Sequence, residues 1–301
     1  MPRATRLAAV ALGLLALLPL QPRAAQQKVE LVNGIGLIDY SQKPHFKVGD
    51  WVRYHVTGSS ETGMHDDYEV TVLIGGEERF WGEDCFWVET WTEPASGGGR
   101  AVATLMSYAI FDDSLPVPHL QLYARKMISE VSDDGRPVQN VMKRPTGSLT
   151  SRKPIGERVS MKVDTVGSDT VSVPPGLFQC KKVSMQQGIA TTVDVGDSSL
   201  RTEVRENRLI YRTPEIPITA VAREDIEYSI MRKVWKIGHS EEGPMRTMER
   251  SIGSARLTER GQNGHPQLVP EYARKALVSS APKAAPRPGP PKARAVKRRT
   301  G

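Results

Sequence analysis

From Lys47 to Leu257, apolar and polar residues alternate in short runs instead of recurring at helical spacing. Over 51–56, Val52, Tyr54 and Val56 share one face; over 67–74, Tyr68, Val70, Val72 and Ile74 do. A period of two marks a strand with one buried side. Gly58 to Gly63 separate these two runs, and Gly75-Gly76 predicts a turn into a third strand over 83–92. Further strands are expected at 158–166, 170–173, 176–187, 189–195, 200–206, 208–213, 218–230, 233–238 and 253–258. Many short strands at regular spacing indicate an antiparallel sandwich or barrel.

One stretch breaks the alternation. Leu120, Tyr123, Met127 and Val131 fall at helical spacing, with Pro118 near the start and Gly135 past the end. That order predicts a helix. A second, short helix is expected at 272–277. Residues 46–277 are enough for one domain with its own apolar interior.

The ends differ from this body. Arg3 and Arg6 precede an uncharged apolar run from Leu7 to Leu20, and small residues follow at Ala24-Ala25. This is the three-part order of a secretory signal peptide over 1–25, with a lead-in over 26–45. The run is too short to span a bilayer as a helix, which needs about 20 residues. No Cys follows it, so lipid attachment at a new N-terminus is not expected. The expected location is the periplasm or the extracellular space. Residues 278–301 are rich in Pro, Ala and cations and lack aromatics, which predicts a disordered tail.

Charge follows the same division. Of 41 Lys and Arg residues, seven lie in 279–301 and three in 1–25, so the body keeps 31 against all 34 acids. The basic character belongs to the ends. Export and the lack of interleaved aromatics argue against nucleic acid as partner and leave an anionic envelope surface as the tail's expected contact. Export also permits Cys85 and Cys180 to pair as a disulfide, two buried free thiols being the alternative.

Three phrases carry a family resemblance. Val173-Pro174-Pro175-Gly176-Leu177-Phe178-Gln179-Cys180 bends through Pro-Gly into a strand. Leu209-Ile210-Tyr211-Arg212-Thr213-Pro214 leads a strand into a Pro-containing corner, and Gly49-Asp50-Trp51-Val52-Arg53-Tyr54 opens the first strand. Together they resemble the LolA/LolB-like superfamily of exported envelope domains. The resemblance implies a mostly β fold: a single, strongly curved antiparallel sheet, an open half-barrel with one or two helices over an apolar concavity. It also implies a ligand: a lipid, a lipidated protein or another apolar ligand.

Catalytic signatures are lacking, and no enzyme and no cofactor is expected. The six histidines lack the spacing of a metal site, and His65-Asp66-Asp67 reads as a solvated turn. Glu77-Glu78 and Glu241-Glu242 flank glycines and read as exposed turns. Trp81, Trp87 and Trp91 crowd one hairpin arm, and Trp87 and Trp91 share a face with Cys85. With Phe178 and Tyr211 they are the expected lining of an apolar cavity, the alternative being ordinary core filling. The functional expectation is an exported binding domain for an apolar ligand. A structural or interaction protein with a filled core and an anion-binding tail is the alternative.

Overall fold

The computed structural model describes residues 44–63, 65–112, 120–130, 137–142, 157–239 and 243–277. The expected signal peptide, most of the lead-in, Glu241-Glu242 and the basic tail lie outside the described residues. Eleven strands form one antiparallel sheet: β1 (Trp51–Ser60), β2 (His65–Phe80), β3 (Glu83–Pro94), β4 (Arg100–Ser107), β5 (Ala124–Glu130), β6 (Pro137–Val141), β7 (Glu157–Val173), β8 (Gly176–Val195), β9 (Ser198–Arg212), β10 (Val221–Lys236) and β11 (Arg246–Gly261). Their order is β6-β5-β4-β3-β2-β1-β11-β10-β9-β8-β7. Two meanders run outward from a central seam where β1 pairs with β11. Among the described residues β6 and β7 are the two edges, so the sheet is open.

The sheet is also curled. β7 stands three places from β10 and four from β11. In a flat sheet those gaps would be about 14 and 19 Å at ~4.8 Å per strand. Yet Cα atoms of β7 come within 8 Å of both.

Several elements depart from the sequence reading. The expected helix is a single turn, α1 (Leu120–Tyr123), and the chain then pairs with β4 as β5. Val102 to Met106 supply a free edge there, and a ladder of cross-strand bonds outweighs a spacing that only four residues carry. Pro118, Val131 and Gly135 lie outside the described residues. The expected terminal helix is a 3-10 turn, Glu271–Ala273.

Gly75-Gly76 is not a turn either. β2 runs straight through it with a bulge between Ile74 and Gly76, and the hairpin turns at Trp81-Gly82, where φ is +54° and +82°. Two successive left-handed residues make the tight turn that matches strand twist. Likewise His65-Asp66-Asp67 opens β2 instead of forming a turn, so its neighbouring side chains alternate between faces. Glu77-Glu78 lie within β2 and are half-buried.

Candidate functional site

Alternation assigns the two faces. Val52, Tyr54 and Val56 of β1, Val70, Val72 and Ile74 of β2, and Phe86 and Val88 of β3 join the larger apolar cluster. Across the seam, the cross-strand row through Val56 continues as Ala255, Glu224, Ile210 and Val183. This is the concave face, because one groove in it is walled by Asp66 and Tyr68 of β2 and by Glu206 and Arg208 of β9, four places apart.

One end of the concavity is full. Phe46, Phe86, Tyr108 and Phe111 pack ring to ring with centroids 4.8–6.4 Å apart. Ile216 and Ile218, in the loop between β9 and β10, are fully buried in the same cluster. That loop is strained, with Ile218 at φ +68° and Ala220 at φ +53°. It is held by Tyr54, whose hydroxyl donates to the Val221 carbonyl at 2.7 Å and pairs with Thr219 Oγ1 at 2.5 Å.

The other end holds the groove. Its floor is bare because Gly58 and Gly253 are directly paired between Ile226 and Asp66. Neither glycine has a positive φ; a Cβ at Gly253 would stand 3.0 Å from the Thr57 carbonyl oxygen, and one at Gly58 would stand 3.1 Å from the Asp66 carboxylate. Val56, Tyr68, Ile226 and Tyr228 give it apolar walls.

A buried ionic triad stands beside them. Arg208 donates from Nη1 to Glu224 Oε1 at 3.0 Å and from Nε to Glu206 Oε1. Glu206, Arg208 and Glu224 are all buried, and among the described residues Glu224 Oε2 and the Ser251 hydroxyl have no hydrogen-bond partner. Beyond the groove the same face of β8–β10 continues as a row of Ile189, Val204 and Ile230 and then one of Val193, Leu200 and Val234. Val193 and Val234 are exposed.

None of the five aromatics nominated from sequence lines this groove. Trp81 sits in the β2–β3 turn with the Arg125 guanidinium 5.8 Å from its ring. Trp87 is fully buried on the opposite, convex face with Cys85, and Trp91 packs against that same smaller cluster. Phe178 lies in the larger cluster beneath Arg260, 5.0 Å away. Tyr211 alternates away from Ile210 and is flanked by Lys182 and Arg223, each 5.5 Å from its ring. Their side chains fill, cap or stack. Sequence reasoning missed the groove residues because glycines and a buried Glu-Arg-Glu set look like turn and surface positions. The signal present was Glu206 and Arg208, two apart on one strand face.

The convex cluster explains the Trp87 side. The chain after β11 crosses β2–β4 and contributes Leu268, Val269 and Ala273 to it. Glu89, fully buried, accepts backbone N–H bonds from Gln267, Leu268 and Val269 at 2.7, 3.0 and 3.1 Å. Glu77 accepts from the Leu277 N–H at 2.6 Å, and Glu78 accepts from Trp87 Nε1 and Lys126. Gly76 is glycine because a Cβ there would stand 1.9 Å from the Ala273 carbonyl oxygen.

Of the two states open to Cys85 and Cys180, a bridge or two buried free thiols, the structure has the second. Both thiols are free and buried, in different clusters, and no shared position brings their Cβ atoms together. Burial pushes Cys85 up to about 11, with Arg125 pulling it back, and burial also raises Cys180. Thiolate is the reactive form. The native protein should therefore react with neither thiol at neutral pH, and both should react in denaturant without reductant. Fast native labelling of either would contradict this burial. Among the described residues no group of three or more His, Cys, Asp or Glu converges as a metal site. No described helix is long and apolar enough to cross a membrane.

No protein-family model and no curated protein matches the chain. Solved structures that resemble it include a candidate lipoprotein from Parabacteroides distasonis, with 12% identity, a TM-score of 0.29, and 74% of this chain and 99% of that one covered. A candidate exported protein of YmcC-like fold from Bacteroides fragilis shares 10% identity at a TM-score of 0.27, covering 74% and 100%. A LolA superfamily protein from Nitrosomonas europaea shares 10% identity at 0.25, covering 78% and 95%. The last bears the name of the superfamily that the three sequence phrases resemble.

Proposed function

We propose that this chain is a binding domain of the cell envelope, exported to the periplasm or beyond, that holds a fatty-acyl chain in its concavity. The chain belongs to a lipid or to a lipidated protein. One observation carries the reading: a glycine-floored groove lies on the same sheet face as a buried to half-buried apolar row of Ile189, Val204 and Ile230 and, past a polar row of Thr191, Thr202 and Arg232, an apolar row that ends in exposed Val193 and Val234. From the Glu224 row to the Val234 row is ten residues, about 33 Å of strand at ~3.3 Å per residue. Burying such a surface under a ligand is favourable by about 25 cal/mol per Å². The role is reversible holding, without bond chemistry.

The filled end supports a second reading. The aromatic cluster around Phe86 and the inserted Ile216 and Ile218 suit a structural or interaction protein whose basic tail meets an anionic surface. The two readings separate on one substitution. Gly58→Leu fills the groove floor, and the nearest atom to its new Cβ is the movable Asp66 carboxylate, at 3.1 Å. The chain purified without detergent should carry acyl lipid in native mass spectra. The Gly58→Leu variant should fold and lose it. Lipid-free wild-type protein that binds no acyl probe favours the structural reading.

A further inference from the structure

The proposed binding reading says nothing of what lies at the polar end of the ligand, and the groove is specific on that point. Its described lining includes one cation, Arg208, and two acids, Asp66 and Glu206, with Glu224 directly behind Arg208. Arg208 is already engaged by both glutamates. A third anion brought to it would meet three carboxylates in a partly desolvated site, where like charges repel far more strongly than in water.

Two polar atoms in this region lack a partner among the described residues, and one of them, a carboxylate oxygen, can only accept. Ser251 lines the groove, is 2% exposed, and its hydroxyl, which can donate or accept, has no hydrogen-bond partner among the described residues. Glu224, 1% exposed, leaves Oε2 without a partner among the described residues. A buried carboxylate oxygen without a donor costs free energy that a ligand's N–H or O–H would recover. The neighbouring phenols sense the same field: Tyr68 is raised by burial and then by the Asp66 charge. Tyr54 is raised by burial, with Glu224 adding to it.

We infer that the groove selects amphiphiles whose polar end is a hydrogen-bond donor, best a primary ammonium, and discriminates against carboxylate and phosphate ends. This rests on the acyl-holding reading and names the ligand's head. An ammonium supplies three donors and one positive charge to a site with surplus acceptors. The apolar chain then lies along Ile226 and Tyr228 toward Val204 and Ile230.

The test uses three probes of one chain length, dodecylamine, dodecanol and dodecanoate, bound to the full exported chain at neutral pH below their aggregation concentrations. The amine should bind at least about tenfold tighter than the carboxylate, which is ~1.4 kcal/mol, with the alcohol between them. Glu224→Gln should shrink that ratio, weakening dodecylamine more than dodecanol. Asp66→Asn, outside the triad, should do the same if Glu224→Gln fails to fold. Equal binding of amine and carboxylate, or a preference for the carboxylate, overturns the inference and leaves the acyl-holding reading in place. Binding of none of the three overturns both.

Discussion

Replacing Arg208 by Met should cost about 3–5 kcal/mol of folding stability, the range for removing one partner of a buried ion pair. Glu206 and Glu224 would stay in the concave face with 4% and 1% exposure and no compensating charge. The triad itself is a weak source of stability, since desolvating three charges offsets their attraction. Its removal as a unit should therefore be far milder than breaking it. Urea unfolding of Arg208→Met and of the triple variant Glu206→Gln, Arg208→Met, Glu224→Gln measures the difference. The single variant should have the lower midpoint. A loss under about 1 kcal/mol for Arg208→Met would mean that the carboxylates are solvated and the site is not as closed as its geometry states.

The second large effect lies on the convex face. Glu89→Ala removes the acceptor of three backbone N–H groups at once. Each orphaned buried donor costs about 1–3 kcal/mol. The segment 264–277 should lift off β2–β4, because hydrating those groups is the cheaper outcome. Hydrogen exchange should then accelerate at Leu268 and Val269, protease should cut within the segment, and stability should fall by about 3 kcal/mol. Unchanged exchange there would show that Glu77 and the apolar contacts hold the segment alone.

Protonation of Glu89 has its own sign. Burial pushes its carboxyl up, and the N–H bonds from Gln267, Val269 and Leu268 pull it back in part. A carboxyl with a raised folded pKa binds its proton more tightly folded than unfolded. Its contribution is full below its ordinary range and declines as pH rises through the folded value. The Glu89→Gln variant should lack that decline in a comparison of pH–stability profiles.

Much of the β character was legible, and the reasons for the misses are physical. The run at 51–56 became part of β1, with one face buried and the other half-buried, and the run at 67–74 part of β2, where Val70, Val72 and Ile74 face the concavity while Thr71 and Leu73 are buried on the other side. The strands of the second half were read as fragments: 176–187 and 189–195 are one strand of 20 residues, β8. Gly188 divided them on paper, yet a glycine is tolerated mid-strand when both neighbouring strands supply partners. β4 was missed. β5 was mistaken for helix, since its buried Arg125 and Lys126 hide the alternation behind cations held by Glu83 and Glu78.

The site was less legible than the fold. Large aromatics advertise burial, and Trp87 is buried, but sequence does not say which side of the sheet a hairpin presents to the concavity. Here the side bearing Trp87 is sealed by residues 180 positions later in the chain, such as Val269 against Glu89. Gly58 and Gly253 are adjacent only through strand pairing.

That pairing also fixes an order of events. Trp51 at the start of β1 faces Gly261 at the end of β11, so the middle of the sheet is its longest-range contact. Each meander gathers through neighbours in sequence, but neither can join the other until the last strand has emerged. Loop closure over that distance makes such topologies slow to fold. Until then β1 keeps a bare backbone edge, which is where a waiting chain aggregates. A polypeptide delivered through a membrane from its N-terminus would therefore travel and wait as two unjoined halves, and its yield would depend on what shields β1 in the interval.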